Sequence, residues 1–106
     1  MNEQKRTALV DKLKTQLADV EGLRLLAFTN PTYGVWRVET GELLDQLFGR
    51  IESAPHPCTQ AFLNYKIPEL FSAGREEMQE YYLNILQAQA DLLSMCLEDV
   101  QLSDSN

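Results

Sequence analysis

The chain has 106 residues, of which 44% are hydrophobic and 24% are charged, and these values are typical of one globular domain. No apolar run approaches the roughly 20 residues that span a bilayer, and no signal-peptide pattern opens the sequence. The two cysteines, Cys58 and Cys96, are too few for a disulfide framework. We therefore expect a cytoplasmic protein with a single helical domain over residues 1–102 and a disordered tail over residues 103–106.

The net charge of −7 is confined to the C-terminal part of the chain. Residues 1–75 carry nine basic and nine acidic groups, whereas residues 76–106 carry seven acidic groups and no basic one. Nucleic acids and anionic membranes are bound through Lys and Arg, so we expect neither as a direct ligand. A solvated helix face is the simplest explanation of the acids. The alternative is an acidic surface that binds a basic partner, as an inhibitor or a mimic of nucleic acid.

The N-terminal segment, residues 2–20, has the periodicity of an amphipathic helix. Asn2 is suited to cap it, and Gly22 offers a stop or a bend. Periodicity does not assign the short apolar run of residues 23–28, for which we favour helix over a buried extended segment. The predicted inward positions of the helix are Leu9, Val10, Leu13, Leu17 and Val20.

A second helix is predicted to begin at Asn30-Pro31, because Asn is a good N-cap and Pro suits the first helical position. Gly49 is suited to its C-terminal end. Gly34 and Gly41 lie inside the pattern, and close approach by another helix would explain both. Trp36 is interpreted as a core residue with an interaction hot spot as the alternative, and Arg37 as a surface ion-pair donor. The predicted face comprises Trp36, Thr40, Leu43, Leu44 and Leu47.

Two further segments complete the pattern. Residues 51–57 contain two prolines and are expected to form a loop, and residues 58–65 a short helix that Pro68 ends or interrupts. The last helix, which begins at Ser72 or Gly74, can run without Pro or Gly to about Leu102. The whole pattern predicts an all-α bundle of three or four helices.

The last helix carries more apolar surface than a small domain is expected to cover. At 28 residues it would be about 42 Å long, whereas a domain of this size has a radius of gyration of about 13 Å. Its apolar positions alternate at spacings of three and four, the pattern of paired helices. We therefore predict a homodimer, with an interface at Met78, Tyr81, Tyr82, Ile85, Ala88, Leu92 and Met95.

Residues suited to catalysis or to metal binding are sparse. His56 and Cys58 lie close in sequence, but zinc needs four ligands and Cys96 lies 38 residues further on. A Cys–His nucleophilic pair also requires a geometry that the intervening Pro57 opposes. We interpret the pair as chance adjacency and Cys96 as a small buried hydrophobe. No catalytic, metal-binding or cofactor-binding residue is predicted.

The segment from Asn30-Pro31 through Trp36-Arg37-x-x-Thr40-x-x-Leu43-Leu44 to Phe48-Gly49 resembles a helical region of prokaryotic proteins. That region is the accessory part attached to TIR-like nucleotide-binding and abortive-infection proteins. Phe62 and residues 88–97 occupy the places of its later elements. The resemblance implies a non-enzymatic oligomerising or sensing module linked to a defence system. This chain departs from the family in having no effector domain, so it is expected to be a stand-alone partner, a domain cut from a longer protein, or a relative with an unrelated role. Together these predictions describe a non-catalytic association module that self-associates, with the acidic inhibitor as the alternative.

Overall fold

The predicted all-α bundle is confirmed by the computed structural model, which describes residues 3–51, 54–66 and 74–104. Four helices are present in these ranges, and one minimal β-hairpin lies between the second and third. In the same ranges, no helix combines the length and the apolar character that a membrane span requires. The elements are α1 (Glu3–Leu23), α2 (Thr32–Phe48), β1 (Arg50–Ile51), β2 (Ala54–Pro55), α3 (Pro57–Asn64) and α4 (Arg75–Asp104).

Helix α1 continues past the predicted stop at Gly22 and ends at Leu23. The expectation of helix over residues 23–28 is wrong, because the chain turns there. The backbone of this turn is held by a side chain 51 residues away. Gln79 on α4 donates to the Leu26 carbonyl at 3.0 Å and accepts from the Phe28 amide at 2.8 Å. These bonds supply the polar partners that a continued helix would otherwise provide.

Both ends of α2 use the residues that the sequence indicated. The helix begins at Thr32, one residue later than predicted, so its N-cap residue is Pro31 and the prediction of Asn30 as N-cap is wrong by one residue. The side-chain oxygen of Asn30 nevertheless accepts from the Thr32 amide at 2.9 Å. Gly49 has a φ of 75°, which is the left-handed region that favours glycine. Its amide donates to the Asp45 carbonyl at 2.9 Å and so closes the last turn.

The predicted loop after α2 contains an antiparallel pair of two-residue strands, with Arg50 opposite Pro55 and Ile51 opposite Ala54. Helix α3 then begins at Pro57, close to the prediction. Pro68 and Ser72, which were predicted to mark the boundary between the last two helices, lie outside the described residues. At the other end, α4 includes Ser103 and Asp104, the first two residues of the predicted tail, and residues 105–106 lie outside the described ranges.

The four helices pack as a closed ring in which α1 contacts α2 and α4, and α3 also contacts α2 and α4. The longest dimension of the chain is 49 Å, close to the length of about 45 Å expected for the 30 residues of α4. Helix α4 therefore runs unbroken along the whole bundle. The centre of the core contains side chains that are completely shielded from solvent: Leu13, Leu44, Phe62, Tyr82, Leu86 and Leu93.

Candidate functional site

Helix α4 buries a different face from the one that the alternating spacing emphasised. Its buried positions include Tyr82, Leu86, Gln89, Leu93 and Cys96, which point between α1 and α3. Except for Tyr82, the predicted interface positions lie along the flank of this buried face. We call six of them the α4 stripe: Met78, Tyr81, Ile85, Ala88, Leu92 and Met95.

The α4 stripe is partly open to solvent in the single chain. Its first five members are half-buried, and Met95 is 63% exposed. The stripe extends over 17 residue steps, or about 26 Å. The structure thus leaves a continuous, incompletely covered apolar line along one side of the longest helix.

Tyr82 was predicted as an interface residue, but it lies wholly inside the core of one chain. Its hydroxyl donates a hydrogen bond to the Leu23 carbonyl, and its ring meets that of Tyr33 edge to face at a centroid distance of 5.3 Å. Burial raises the pKa of Tyr82 above its ordinary value. Tyr82 therefore joins α4 to the end of α1 and contributes nothing to the exposed stripe.

A buried polar connection in the core was missed by the sequence analysis. Gln89 on α4 is fully buried, accepts from the Tyr33 hydroxyl at 2.6 Å and donates to the Phe62 carbonyl at 3.2 Å. The side chain therefore links α4 to both α2 and α3. The only sequence signal was its position, four residues from Leu93 and three from Leu86, which places a polar amide within the buried face.

Trp36 and Arg37 have structural roles. Trp36 is 4% exposed, which confirms its core assignment, and its indole nitrogen donates to the Gln16 carbonyl at 2.8 Å. Arg37 was predicted as an ion-pair donor, but its guanidinium donates to the Tyr65 carbonyl at 3.2 Å and also to the Leu63 carbonyl. It therefore satisfies carbonyl groups at the C-terminal end of α3, which the helix itself leaves without partners.

His56 and Cys58 form the start of helix α3. The His56 ring accepts the Cys58 amide hydrogen through Nδ1 at 3.1 Å and stacks on Phe48 at a centroid distance of 4.8 Å. Because Nδ1 is bonded to the backbone, this nitrogen is engaged as a helix cap. Within the described ranges, no three His, Cys, Asp or Glu side chains converge in a metal-binding arrangement.

The fold brings the two cysteines together, which their separation in sequence concealed. The side chains of Cys58 on α3 and Cys96 on α4 lie close enough to influence each other's ionisation. Burial is the largest cause that raises the pKa of Cys96 to about 12, followed by the neighbouring Cys58 thiol and by the charge of Asp99. Cys96 is buried as predicted, and both cysteines are free thiols.

A pocket of about 250 Å³ opens between α2 and α3. The two helices approach closely at Gly41, where an added Cβ would lie 2.9 Å from the Leu63 side chain. Close approach is thus confirmed at Gly41, whereas at Gly34 nothing lies within 4 Å of the added Cβ. We call this cavity the α2–α3 pocket, and besides Gly41 it is lined by Val38, Glu42, Asp45, Pro55, Thr59 and Leu63.

The comparisons with known proteins add no relative: no protein-family model, no curated protein and no solved structure matches the chain. The function of the chain is therefore inferred from its own surfaces.

Proposed function

We propose that this chain is a non-catalytic association module that forms a homodimer through the α4 stripe. The observation that carries the proposal is the unbroken line of half-buried and exposed apolar residues along α4, from Met78 to Met95. Apolar positions that alternate at spacings of three and four allow the side chains of one helix to fit between those of another. A second copy offers a matching line, and a symmetric pair is the commonest form of soluble oligomer.

The charges beside the α4 stripe predict how such a dimer responds to salt. An antiparallel pairing that brings Met78 level with Met95 of the second copy also places Glu77 near Glu98 of that copy. Both carboxylates are exposed, so their repulsion is weak and is screened by salt. Raising the salt concentration should therefore leave the dimer unchanged or tighten it slightly.

The experiment is sedimentation velocity on the wild-type chain and two matched variants at 5 to about 200 μM, a range that covers the micromolar affinities of modest interfaces. Met95→Glu places a charge on the stripe and should shift the chain towards monomer. Ser94→Glu adds the same charge at the neighbouring exposed position, about 100° around the helix, and should leave the dimer intact. A wild-type chain that is monomeric at every concentration would overturn the proposal, as would equal effects of the two variants.

The acidic outer side of α4 supports the alternative function, an inhibitor that binds a basic partner. Glu76, Glu80, Asp91 and Glu98 are exposed there and would attract Lys and Arg of a partner. Complexes of this kind weaken steeply as salt is added, the opposite of the behaviour expected for the apolar dimer. A salt series on any captured complex therefore separates the two functions.

A role in a prokaryotic defence system stays a prediction from the resemblance of residues 30–49 to the accessory helical region. The proposed dimer is consistent with an oligomerising module of that kind. Co-purification of this chain with an effector encoded by a neighbouring gene would support the role. An effector that is bound equally by the wild-type chain and by Met95→Glu would show that the α4 stripe is not required for it.

A further inference from the structure

Helices α1 and α2 form a groove that is open to solvent along their outer side. It consists of one depression of about 290 Å³ near the turn between the helices and another of about 320 Å³ further along. Both are lined by Gln16 and Glu39, so they lie end to end. Along α2 they extend from Thr32 to Gln46, or about 21 Å. Every described residue that lines this α1–α2 groove belongs to α1, to α2 or to the turn that joins them.

The half of the groove beside the turn has an apolar floor that is held in place. Trp36 and Leu23 line it and are each 4% exposed. The Trp36 indole nitrogen donates to the Gln16 carbonyl at 2.8 Å, and the Gln16 side chain donates to the Thr40 hydroxyl at 2.8 Å. These bonds join α1 to α2 across the floor. A partner that binds here therefore meets a surface that is already ordered, which lowers the entropic cost of association.

Exposed apolar side chains border the same half of the groove. Val35 lines it and is 57% exposed. Leu26 also lines it, and the preceding residue of the turn, Leu25, is 87% exposed. Exposed apolar residues gathered beside a concave surface are typical of a binding site for another protein.

The walls of this half are acidic. Asp19 on α1 and Glu39 on α2 line it from the two sides, and both are exposed. Neither carboxylate is in an ion pair within the described residues, and none of the described residues that line this half is basic. Lys12 lines the other half, beside Glu42. The segment that complements the half beside the turn therefore has an apolar face flanked by Lys or Arg.

An amphipathic helix combines these properties. The groove between two antiparallel helices is where a third helix packs in a bundle, and insertion of the apolar face of a helix into a groove is a common mode of recognition. A length of about 21 Å accommodates about four helical turns. The groove is thus large enough for a helix that lies along both depressions.

We propose that the α1–α2 groove binds a basic amphipathic helix of a partner protein. Its apolar face covers Leu26 and Val35, and its cations lie beside Asp19 and Glu39. This surface is formed by α1 and α2, whereas the proposed dimer and the alternative inhibitor surface both use α4. The proposals can therefore fail independently.

The first test uses Trp36, which lines the groove and is the only tryptophan of the chain. The probe is a peptide of Leu and Lys with about 18 residues, arranged as an amphipathic helix of about five turns, and the control peptide has Glu in place of each Lys. We expect the Leu–Lys peptide to change the Trp36 fluorescence to saturation and to shift its indole ¹⁵N–¹H signal. The Leu–Glu peptide should do neither. An unchanged Trp36 signal, or equal binding of the two peptides, would overturn the proposal.

The second test compares two valines on the same helix. Val35 and Val38 are 57% and 55% exposed, but of the two only Val35 lines the groove. Val35→Ser should weaken the Leu–Lys peptide by about tenfold, because it removes apolar surface that the peptide covers. Val38→Ser is the matched control and should weaken it by less than about twofold. Equal effects of the two variants would show that the peptide binds elsewhere and would overturn the proposal.

The third test compares two aspartates of α1. Asp19 and Asp11 are both exposed, but of the two only Asp19 lines the groove. Asp19→Asn should weaken the Leu–Lys peptide by about threefold, whereas Asp11→Asn should leave it unchanged. Equal weakening by the two variants would mean that the peptide responds only to net charge, which would overturn the proposal. Circular dichroism checks that every variant is folded.

Discussion

The Tyr33 hydroxyl donates to the side-chain oxygen of Gln89 at 2.6 Å inside the core, where α2 faces α4. The same amide donates to the Phe62 carbonyl through its nitrogen, so one residue joins three helices. Burial is the main cause that raises the pKa of Tyr33, partly opposed by the charge of Arg37 and by the bond to Gln89. A buried amide whose two groups are both bonded fixes how the helices sit against one another.

Replacing Gln89 should be costly, and the cost should depend on Tyr33. Gln89→Met keeps the length of the side chain but leaves the Tyr33 hydroxyl and the Phe62 carbonyl without this partner, so we expect a loss of about 2–4 kcal/mol in the free energy of unfolding. Tyr33→Phe removes one of the orphaned groups. The double variant should therefore lose less than the sum of the single variants, by about 0.5–3 kcal/mol. Urea unfolding of the four proteins measures this difference, and strictly additive losses would contradict the coupling.

The free energy of unfolding should decrease as the pH rises, because the buried Cys96 thiol ionises less readily in the folded chain than in the unfolded chain. Cys96 has a pKa of about 12 in the folded chain against an ordinary value of 9.0, so the folded state holds the proton more tightly than the unfolded state. The contribution is complete below pH 9 and is lost as the pH rises towards 12, by about 1.4 kcal/mol for each pH unit. Burial also raises the pKa of Tyr82 above its ordinary value of 10.0. Tyr82 therefore adds a further decrease in stability with pH above pH 10.0.

Urea unfolding between pH 7 and pH 10.5 in the presence of a reductant measures the slope. Cys96→Ala should flatten it between pH 9 and pH 10. Cys58→Ala should leave most of it, because burial, rather than the contact with Cys58, is the largest cause of the raised pKa. Identical slopes for the wild-type chain and Cys96→Ala would show that the thiol is not responsible.

Much of this fold follows from local patterns, because local chemistry determines where several helices begin and end. Gly49 performs the capping role that its residue type favours, and the Asn30 side chain bonds the first amide of α2 from one position before the N-cap. The 3.6-residue period correctly placed Leu9, Leu13 and Val20 in the core. These features depend on neighbours within one or two turns, which a single sequence displays directly.

The parts that were missed depend on contacts between distant residues. The buried face of α4 is one example. Its centre contains the polar Gln89, so the sequence pattern favours the adjacent, entirely apolar stripe as the core face. The proximity of Cys58 to Cys96 and the unpartnered hydroxyl of Thr59 also arise only when α3 packs against its neighbours. No spacing rule within a segment contains this information.

The turn after α1 should depend on a side chain of α4. Gln79→Met removes the bonds to the Leu26 carbonyl and the Phe28 amide while keeping a side chain of similar length. We expect a loss of about 1–3 kcal/mol in stability and faster hydrogen exchange at the Phe28 amide. Gln46→Met, at an exposed position of α2, is the matched control and should change neither. Unchanged exchange at Phe28 in Gln79→Met would mean that the turn is held without Gln79.

Thr40 and Thr59 provide a direct test of whether an unsatisfied buried hydroxyl lowers the stability of this chain. Both are buried, at 0% and 1% exposure, but the Thr40 hydroxyl accepts from the Gln16 side chain at 2.8 Å, whereas that of Thr59 has no partner within the described residues. Thr→Val should therefore have opposite effects at the two positions. At residue 40 it removes a bond and should cost about 1 kcal/mol, while at residue 59 it removes an unsatisfied group and should add a similar amount.

Thermal unfolding followed by circular dichroism measures both effects, and a gain of about 1 kcal/mol corresponds to a rise of about 4–8 °C in Tm for a domain of this size. A lower Tm for Thr59→Val would mean that its hydroxyl already has a partner, such as a bound water. A higher Tm for Thr59→Val together with a lower Tm for Thr40→Val would show that the hydrogen bond decides the sign of the effect, because both substitutions remove the same hydroxyl group from a buried position.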